Sequence, residues 1–240
     1  MAAAPHICII SRDISGFIAA MRLSTVFPSF RLTLLDLRKD GQVEMPWLFA
    51  VAHPDLRQFH RQVKIREAAF LRATSACFYL GDQLSGFGPT PYHLPFAEYG
   101  APVNGQGFFS VQLVQGNFDD LAGQTRYCFP ASLAKTNRFL PPDAQGRPII
   151  SDFDYGYQFD VNAYADFLSR QMKNVAVIQP KSVKVKRDGE TVANITADNE
   201  TISADLFIDA SGAESNLFGA VTYDVANESR GFSTSIATTQ

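Results

Sequence analysis

The sequence predicts an α/β protein in three layers, a parallel sheet with a β-meander, and three stretches carry that prediction. In His6–Asp36 an apolar run, Ile7–Ile10, is followed by a polar turn, a helical pattern and a second apolar run, Leu32–Leu35. Strand, turn, helix and strand in that order form a βαβ unit, which needs a parallel sheet. In Tyr155–Met172 an alternating strand runs into an amphipathic helix. From Val183 onward, short alternating strands separated by Asp188-Gly189 and Asp198-Asn199 turns lead to a buried strand, Leu206–Ile208.

The first stretch carries the most chemistry. From Ile14 the apolar residues Phe17, Ile18, Met21 and Leu23 recur at helical spacing, and Asp36 stands twenty residues beyond Gly16. Strand, tight turn, helix, strand and acid is the layout of a dinucleotide-binding unit. Its turn holds a pyrophosphate on the helix N-terminus and its acid bonds a ribose hydroxyl. The fingerprint G-x-G-x-x-G falls on Ser11, Asp13 and Gly16, so only the third glycine is kept. Asp13 brings bulk and negative charge where phosphate oxygens would sit, a charge Arg12 would offset by turning inward. A strand–helix start that binds nothing has the same spacing.

Composition fits an ordinary globular chain able to bury a sizeable core: 240 residues, 46% hydrophobic, 19% charged, net charge -3. Lys and Arg are scattered apart from Lys181–Arg187, which gives no footprint for nucleic acid. No stretch approaches the ~18 apolar residues of a membrane span, and the opening Met1–Pro5 lacks the basic region of a signal peptide. Cys8, Cys77 and Cys128 are odd in number and far apart, so buried, reduced thiols in a cytoplasmic protein are expected. The histidines show no metal-ligand spacing. His53 and His60 lie seven apart in a helical stretch, where solvent exposure is expected.

In between, Gln42–Val51 is extended and holds the single tryptophan, Trp47. Pro54 opens a helix through Arg61, Ile65–Thr74 forms another, and Cys77–Leu80 resembles a strand. Phe87–Gly107, rich in Gly, Pro and aromatic residues, is expected to be a long irregular loop of functional type. Phe108–Val114 is expected as a strand and Tyr127–Phe139 as a helix. Tyr155, Tyr157 and Phe159 alternate as core aromatics. Asp160 then caps a helix with the apolar face Val161, Tyr164, Ala165, Leu168 and Met172.

Several of these segments resemble the flavin-dependent tryptophan halogenase family, within the FAD-dependent monooxygenases. S-R-D-I-S-G-F at Ser11–Phe17 stands in register with the family's G-G-G-T-A-G-W. A-T-S-A-C-F-Y-L-G at Ala73–Gly81 has the frame of its A-T-F-K segment. Tyr157–Leu168 matches Y-x-F-D followed by x-Y-A-x-F-L, and Ala204–Ala213 matches A-D-L-F-I-D-C-T-G-F, differing at Ala210, Ser211 and Ala213.

The resemblance implies a two-dinucleotide-binding-type FAD domain with an incomplete substrate domain. Residues 1–50 and 175–240 would form the discontinuous FAD-binding-like part, and 51–174 an inserted substrate-side segment. FAD would then lie against Ser11, Arg12, Asp13, Ile14, Ser15 and Gly16. Asp36 would meet the ribose, backbone at Val183 the adenine edge, and Asp209 and Gly212 would lie near the flavin crevice. The family's chemistry runs through a hydroperoxyflavin and hypohalous acid to a lysine beside an aromatic substrate. It is supplied with reduced flavin by a flavin reductase.

The catalytic lysine of that pattern falls on Tyr79, and a phenol of pKa about 10 cannot form a haloamine. The loop G-E-x-T-x-P reads F-A-V-A-H-P at Phe49–Pro54, and the family's W-x-W-x-I-P segment and second catalytic carboxylate are not found. The expectation is a truncated or degenerate member with little activity by itself. Alternatives are an active enzyme with a remodelled site, completed by a second half-protein, or a flavin-free module binding an aromatic small molecule or partner through Phe87–Tyr99. Apolar surface left open in a half-length protein would also admit a homo-oligomer.

Overall fold

The computed structural model describes residues 3–42, 49–86, 91–116, 125–142, 153–188 and 191–212. Trp47, Phe87, Gly189 and the stretch from Ala213 to Gln240, on which several expectations fall, lie outside these residues. The described residues form two compact units. The first falls within Met1–Ala50, Phe59–Ala76 and Phe159–Gly231, the second within Val51–Gln58 and Cys77–Gln158.

In the first unit, β1 (His6–Ser11) is the fully buried centre of a parallel sheet. It lies between β12 (Leu206–Ala210) and β2 (Arg31–Asp36), and β8 (Val175–Ile178) adds to β2, giving the order β12-β1-β2-β8. Strands covered on both faces read as continuous apolar runs, which is why Ile7–Ile10 and Leu32–Leu35 stand out in the sequence. The crossover from β1 to β2 is α1 (Ile14–Val26), which buries Gly16, Phe17, Ala20 and Met21. α1 packs on α6 (Val161–Gln171), and α6 on α3 (Glu67–Thr74). The Asp160 carboxylate accepts from Ala163 N at 2.9 Å, as a capping residue should. Val161, Tyr164, Ala165, Leu168 and Met172 are all buried.

The opposite face of the sheet carries the meander β9 (Val183–Asp188), β10 (Thr191–Ala197) and β11 (Glu200–Ile202), in the order β11-β10-β9. Cys8, Ile10 and Leu35 from the sheet pack against Ile195, Ala197 and Ile202. Alternate residues of β1 therefore serve the two layers, each buried Ile or Leu contributing about 1.5–3 kcal/mol. Burial pushes the Cys8 thiol up to about 12, so it behaves as a small apolar side chain.

His60 departs from expectation. It lies on α2 (Asp55–Gln62), whose second half belongs to this unit, and it is buried, not exposed. Its Nε2 and the Tyr164 hydroxyl share a hydrogen bond of 2.8 Å, and the Phe70 ring meets it edge-on at 4.6 Å. Burial holds its pKa at about 4, with the Glu67 carboxylate opposing. His53 precedes the helix and packs against Phe96 instead, so the two histidines never shared a helix face.

The second unit holds a three-stranded sheet in the order β3 (Phe49–Ala52), β7 (Gly156–Asp160), β4 (Cys77–Tyr79). Beside it are a hairpin of β5 (Gly81–Leu84) and β6 (Tyr92–Pro95), α4 (Phe108–Val114), a 3₁₀ turn at Thr125–Tyr127 and α5 (Phe129–Lys135). Cys77, on an edge strand, is exposed, which corrects the expectation that all three thiols are buried. The stretch expected as an irregular loop contains β6, paired to β5 with Gly81 opposite Pro95. Proline, which cannot donate to a ladder, closes that strand at its last position.

Phe108–Val114 is a helix, not a strand, and the Tyr99 ring packs against its first two residues. It contacts both Phe108 and Phe109, with centroids at 6.2 Å and 5.3 Å. Successive residues of a strand point to opposite faces and could not both reach one ring. On a helix they can.

Candidate functional site

Two places carry chemistry, one in each unit. In the first, the register Ser11↔Asp36 and Ser11↔Ala210 brings the carboxyl ends of β2, β1 and β12 side by side. That is where open α/β sheets bind ligands. Ser11 ends β1, Arg12 and Asp13 form the turn, Ile14, Ser15 and Gly16 open α1, Asp36 ends β2, and Asp209 is the last but one residue of β12, with Gly212 two residues beyond the strand. Val183 starts β9 in the meander, paired with Ala197.

The turn is closed by its own side chains. Asp13 caps α1: its Oδ1 accepts from Ser15 N at 2.8 Å and also from the Ser15 hydroxyl. The Ser11 hydroxyl donates to the Asp13 carbonyl at 2.7 Å. Gly16 is required here because a Cβ would run into Cβ and Oγ of Ser11. The third glycine of the fingerprint thus keeps its role in helix–strand packing, while the carboxylate of Asp13 takes the helix N-terminus that a phosphate would need.

Asp36 is equally engaged. Its Oδ1 accepts from Arg38 N at 3.1 Å and Arg38 Nε at 2.9 Å. Its Oδ2 accepts from Arg38 Nη2 at 2.9 Å and Gln179 Nε2 at 2.7 Å. Arg38 in turn pairs with Asp166 at 3.0 Å and lies 4.7 Å over the Phe17 ring. Both side chains of the Asp36–Arg38 pair are nearly inaccessible to solvent. Burial favours the neutral acid, but the hydrogen bonds from Arg38 and Gln179 outweigh it and hold Asp36 below the usual carboxylate range. Arg38 and Gln179 were missed by sequence reasoning. The Asp-x-Arg spacing at a strand end was the available signal for Arg38, and nothing local marked Gln179.

At the end of β12, Asp209 Oδ1 accepts from Ser211 N at 2.9 Å and from the Ser211 hydroxyl, and Gly212 follows with φ +88°. These are local turn interactions.

In the second unit, Tyr79 ends β4 and its hydroxyl donates to Asp82 on β5, with the Phe96 ring edge-on at 5.6 Å. Burial and the Asp82 carboxylate both raise its pKa, so the phenol stays protonated. A separate cavity of about 530 Å³ is walled by Tyr92, His93, Tyr99, Phe108 and Phe109, with Glu98 at its margin. The Tyr99 hydroxyl donates to the His93 carbonyl at 2.6 Å, which fixes the ring as a wall. Gly100, at φ +58°, leaves the room beside Phe108 that a Cβ would fill. Sequence reasoning found the Tyr92–Tyr99 side of this cavity and missed Phe108 and Phe109, which it had placed on a strand.

A parallel sheet with a crossover helix on one face and a meander on the other, with Gly16 packed against the end of β1 in the first turn of α1, has the architecture of the FAD-domain class of dinucleotide-binding folds. The sequence profile of the tryptophan halogenase family matches residues 6–238, and the chain belongs to that family. Tryptophan 7-halogenase KtzQ of Kutzneria sp. (strain 744) is 32% identical over 142 residues, covering 56% of this chain and 24% of the relative. Among solved structures, BrvH, a flavin-dependent halogenase from Brevundimonas sp. BAL3, is 24% identical with a TM-score of 0.73, over 86% of this chain and 42% of that one. Xcc4156, a flavin-dependent halogenase from Xanthomonas campestris, is 25% identical with a TM-score of 0.70, over 86% and 42% of the two chains. The tryptophan 6-halogenase SttH from Streptomyces toxytricini, at 21% identity and a TM-score of 0.74, shares the fold over 88% and 44%. The chain therefore spans less than half the length of these relatives.

The solved relatives BrvH and Xcc4156 are flavin-dependent halogenases, which implies FAD at this turn. The residues present do not fit: the helix N-terminus is capped by a carboxylate, and the acid that would bond a ribose has its oxygens taken up by four donors. Among the described residues no cluster suits a metal ion, and no helix is long and apolar enough to cross a membrane.

Proposed function

We propose that this chain is a tryptophan-halogenase-like protein with weak FAD binding and little or no halogenating activity by itself. The capping of α1 by Asp13 is the observation that carries the proposal. A phosphate on a helix N-terminus gains roughly 0.3–1 kcal/mol from the dipole, and up to ~2 when partly buried. A carboxylate ~5 Å from a phosphate charge, at an effective dielectric near ~20, repels it by on the order of 3 kcal/mol before screening. Repulsion outweighs the dipole. The Tyr79–Asp82 hydrogen bond supports the same reading, because a protonated phenol held by a carboxylate offers no ammonium.

Titration with FAD, followed by flavin fluorescence, tests the proposal. The native chain is expected to bind weakly and to purify colourless. Ser11→Gly with Asp13→Gly should improve affinity about tenfold or more, some 1.4 kcal/mol. Tight binding by the native chain, or no gain in the double variant, would refute it.

The aromatic cavity favours a second reading. In this reading the chain serves as a flavin-free module that holds an aromatic small molecule among Tyr92, Tyr99, Phe108 and Phe109. Such a module needs neither a flavin reductase nor a second half-protein. An active split enzyme would need both. Calorimetric titration with indole distinguishes a working aromatic site from an empty fold.

A further inference from the structure

Asn104 is the only asparagine of the chain followed by glycine, and the structure sets that pair at the centre of an exposed turn. Asn104 and Gly105 have φ of +52° and +76°, and Val103 and Gln106 exchange backbone hydrogen bonds of 2.9 Å and 3.0 Å. This is the hairpin turn that Asn-Gly favours. Residues 101–107 are all exposed, so no packing holds the tip. Its base is fixed instead: Gly100 N donates to the Tyr127 carbonyl at 2.8 Å, and Phe108 lies in the space beside Gly100.

The Gly105 N–H takes no part in the Val103–Gln106 exchange, and among the described residues nothing lies within 4 Å of where its Cβ would stand. An open amide nitrogen next to an asparagine side chain is set for attack on that side chain, because it reaches Cγ by closing a five-membered ring. The Asp40–Gly41 turn is the contrast. It has the same positive φ values, +53° and +72°, but Arg38 Nη1 donates to the Gly41 carbonyl at 3.1 Å and Asn162 Nδ2 to Gln42 Oε1 at 2.8 Å. Two side chains hold that turn closed. Among the described residues the Asn104 turn has no such tie.

We propose that Asn104–Gly105 is a site of spontaneous modification, at which the folded chain converts Asn104 to a mixture of aspartate and isoaspartate. The Gly105 nitrogen gives its proton to solvent and bonds to Asn104 Cγ. The Cγ–Nδ2 bond breaks, and ammonia leaves with a proton from water. Water then opens the succinimide, at the side-chain carbonyl to give aspartate or at the main-chain carbonyl to give isoaspartate. Attack requires the turn's two hydrogen bonds to open. Both are exposed, so the folded chain should react about tenfold more slowly than the unfolded one rather than being inert. The product is one charge more negative, and its isoaspartyl form carries an extra methylene in the main chain at the tip. Neither flavin, halide nor the aromatic cavity enters this assignment.

Incubation of the full chain at neutral and mildly alkaline pH, beside a sample unfolded in urea, tests the proposal. The chymotryptic peptide Gly100–Phe108 holds Asn104 as its single asparagine. Mass spectrometry should show it gaining the mass of an amide-to-acid exchange, and enzymatic methylation should show isoaspartate. The rate should rise with pH, because the attacking nitrogen must lose its proton. Asn104→Gln should abolish the change, since glutamine must close a six-membered ring, and should leave the unfolding midpoint where it was. Three results overturn the proposal: Asn104 still an amide in the folded chain when the unfolded chain has fully converted, no conversion in either sample, or Asn137, Asn162, Asn174, Asn194 or Asn199 converting as fast as Asn104.

Discussion

Replacing Arg38 by methionine removes a cation bonded to both Asp36 and Asp166 and keeps a side chain of similar length over Phe17. Asp36 would lose its contacts to Arg38 Nε and Nη2 and keep only Gln179 Nε2 and the backbone N–H of residue 38. A buried carboxylate deprived of its counter-ion costs about 3–5 kcal/mol. In urea, with a slope of about 2–3 kcal/mol/M, that lowers the unfolding midpoint by about 1–2.5 M. The pH dependence changes sign as well. In the native chain Asp36 titrates below the usual carboxylate range, so its contribution is complete above about pH 4 and is lost as pH falls through the folded value. Without Arg38, burial, the largest influence on Asp36, is opposed only by the hydrogen bonds from Gln179 and the backbone N–H of residue 38, and the folded value rises above the unfolded one. The folded state then binds the proton more readily than the unfolded one, and stability declines as pH rises through that raised value. Arg38→Met should therefore be much less damaging at pH 4 than at pH 7, as read from urea unfolding at the two pH values. A loss under about 1 kcal/mol at pH 7, typical of an exposed pair, would refute the reasoning, as would equal losses at both pH values.

Gly16→Ala should cost about 1–3 kcal/mol through contact with Ser11, and clearly less in a Ser11→Gly background, as a double-mutant cycle by urea unfolding would read. Asp13→Ala should cost about 1 kcal/mol and Asp13→Gly only a few tenths, since glycine is tolerated at a helix cap; thermal unfolding resolves the difference. His60 is held neutral with a folded pKa of about 4, so between pH 6.5 and 4 only the unfolded state takes up its proton. Stability should fall by about 3 kcal/mol as pH is lowered across that window, and His60→Gln should flatten the slope. NMR titration of the His60 ring, showing no charging above pH 5, checks the same point.

The features legible in the sequence were those whose pattern and structure share a period. Ile7–Ile10 and Leu32–Leu35 are doubly buried strands and read as apolar runs. Asp160 and the apolar face from Val161 to Met172 followed helical spacing, and Val183–Val185 alternated because one face of the meander packs on the sheet. Gly16 was legible through its spacing to Ser11 and Asp36. What escaped was decided by distant contacts. Phe108 and Phe109 follow one Tyr99 ring, and β6 forms between prolines because β5 supplies its partner. His60 is buried by Phe70 and Tyr164, two residues remote in sequence. Gln179 reaches Asp36 across 143 positions, a separation at which no local pattern exists.

The departures from the family's flavin pattern share a physical character. Each residue that disfavours the cofactor or its chemistry has a partner of its own: Asp13 with Ser15, Asp36 with Arg38 and Gln179, Tyr79 with Asp82. A site that had merely lost its ligand contacts would leave polar groups short of partners at the strand ends, at about 1–3 kcal/mol for each buried one. Here the carboxylate of Asp13 stands where an anionic ligand would satisfy the helix N-terminus, and Arg38 and Gln179 donate to the acid that would otherwise meet a ribose. The βαβ unit therefore does not rely on a bound dinucleotide to satisfy these groups. On the proposed reading the FAD-domain fold stands without FAD in this turn, and glycine at positions 11 and 13 should raise affinity for FAD without being needed for folding.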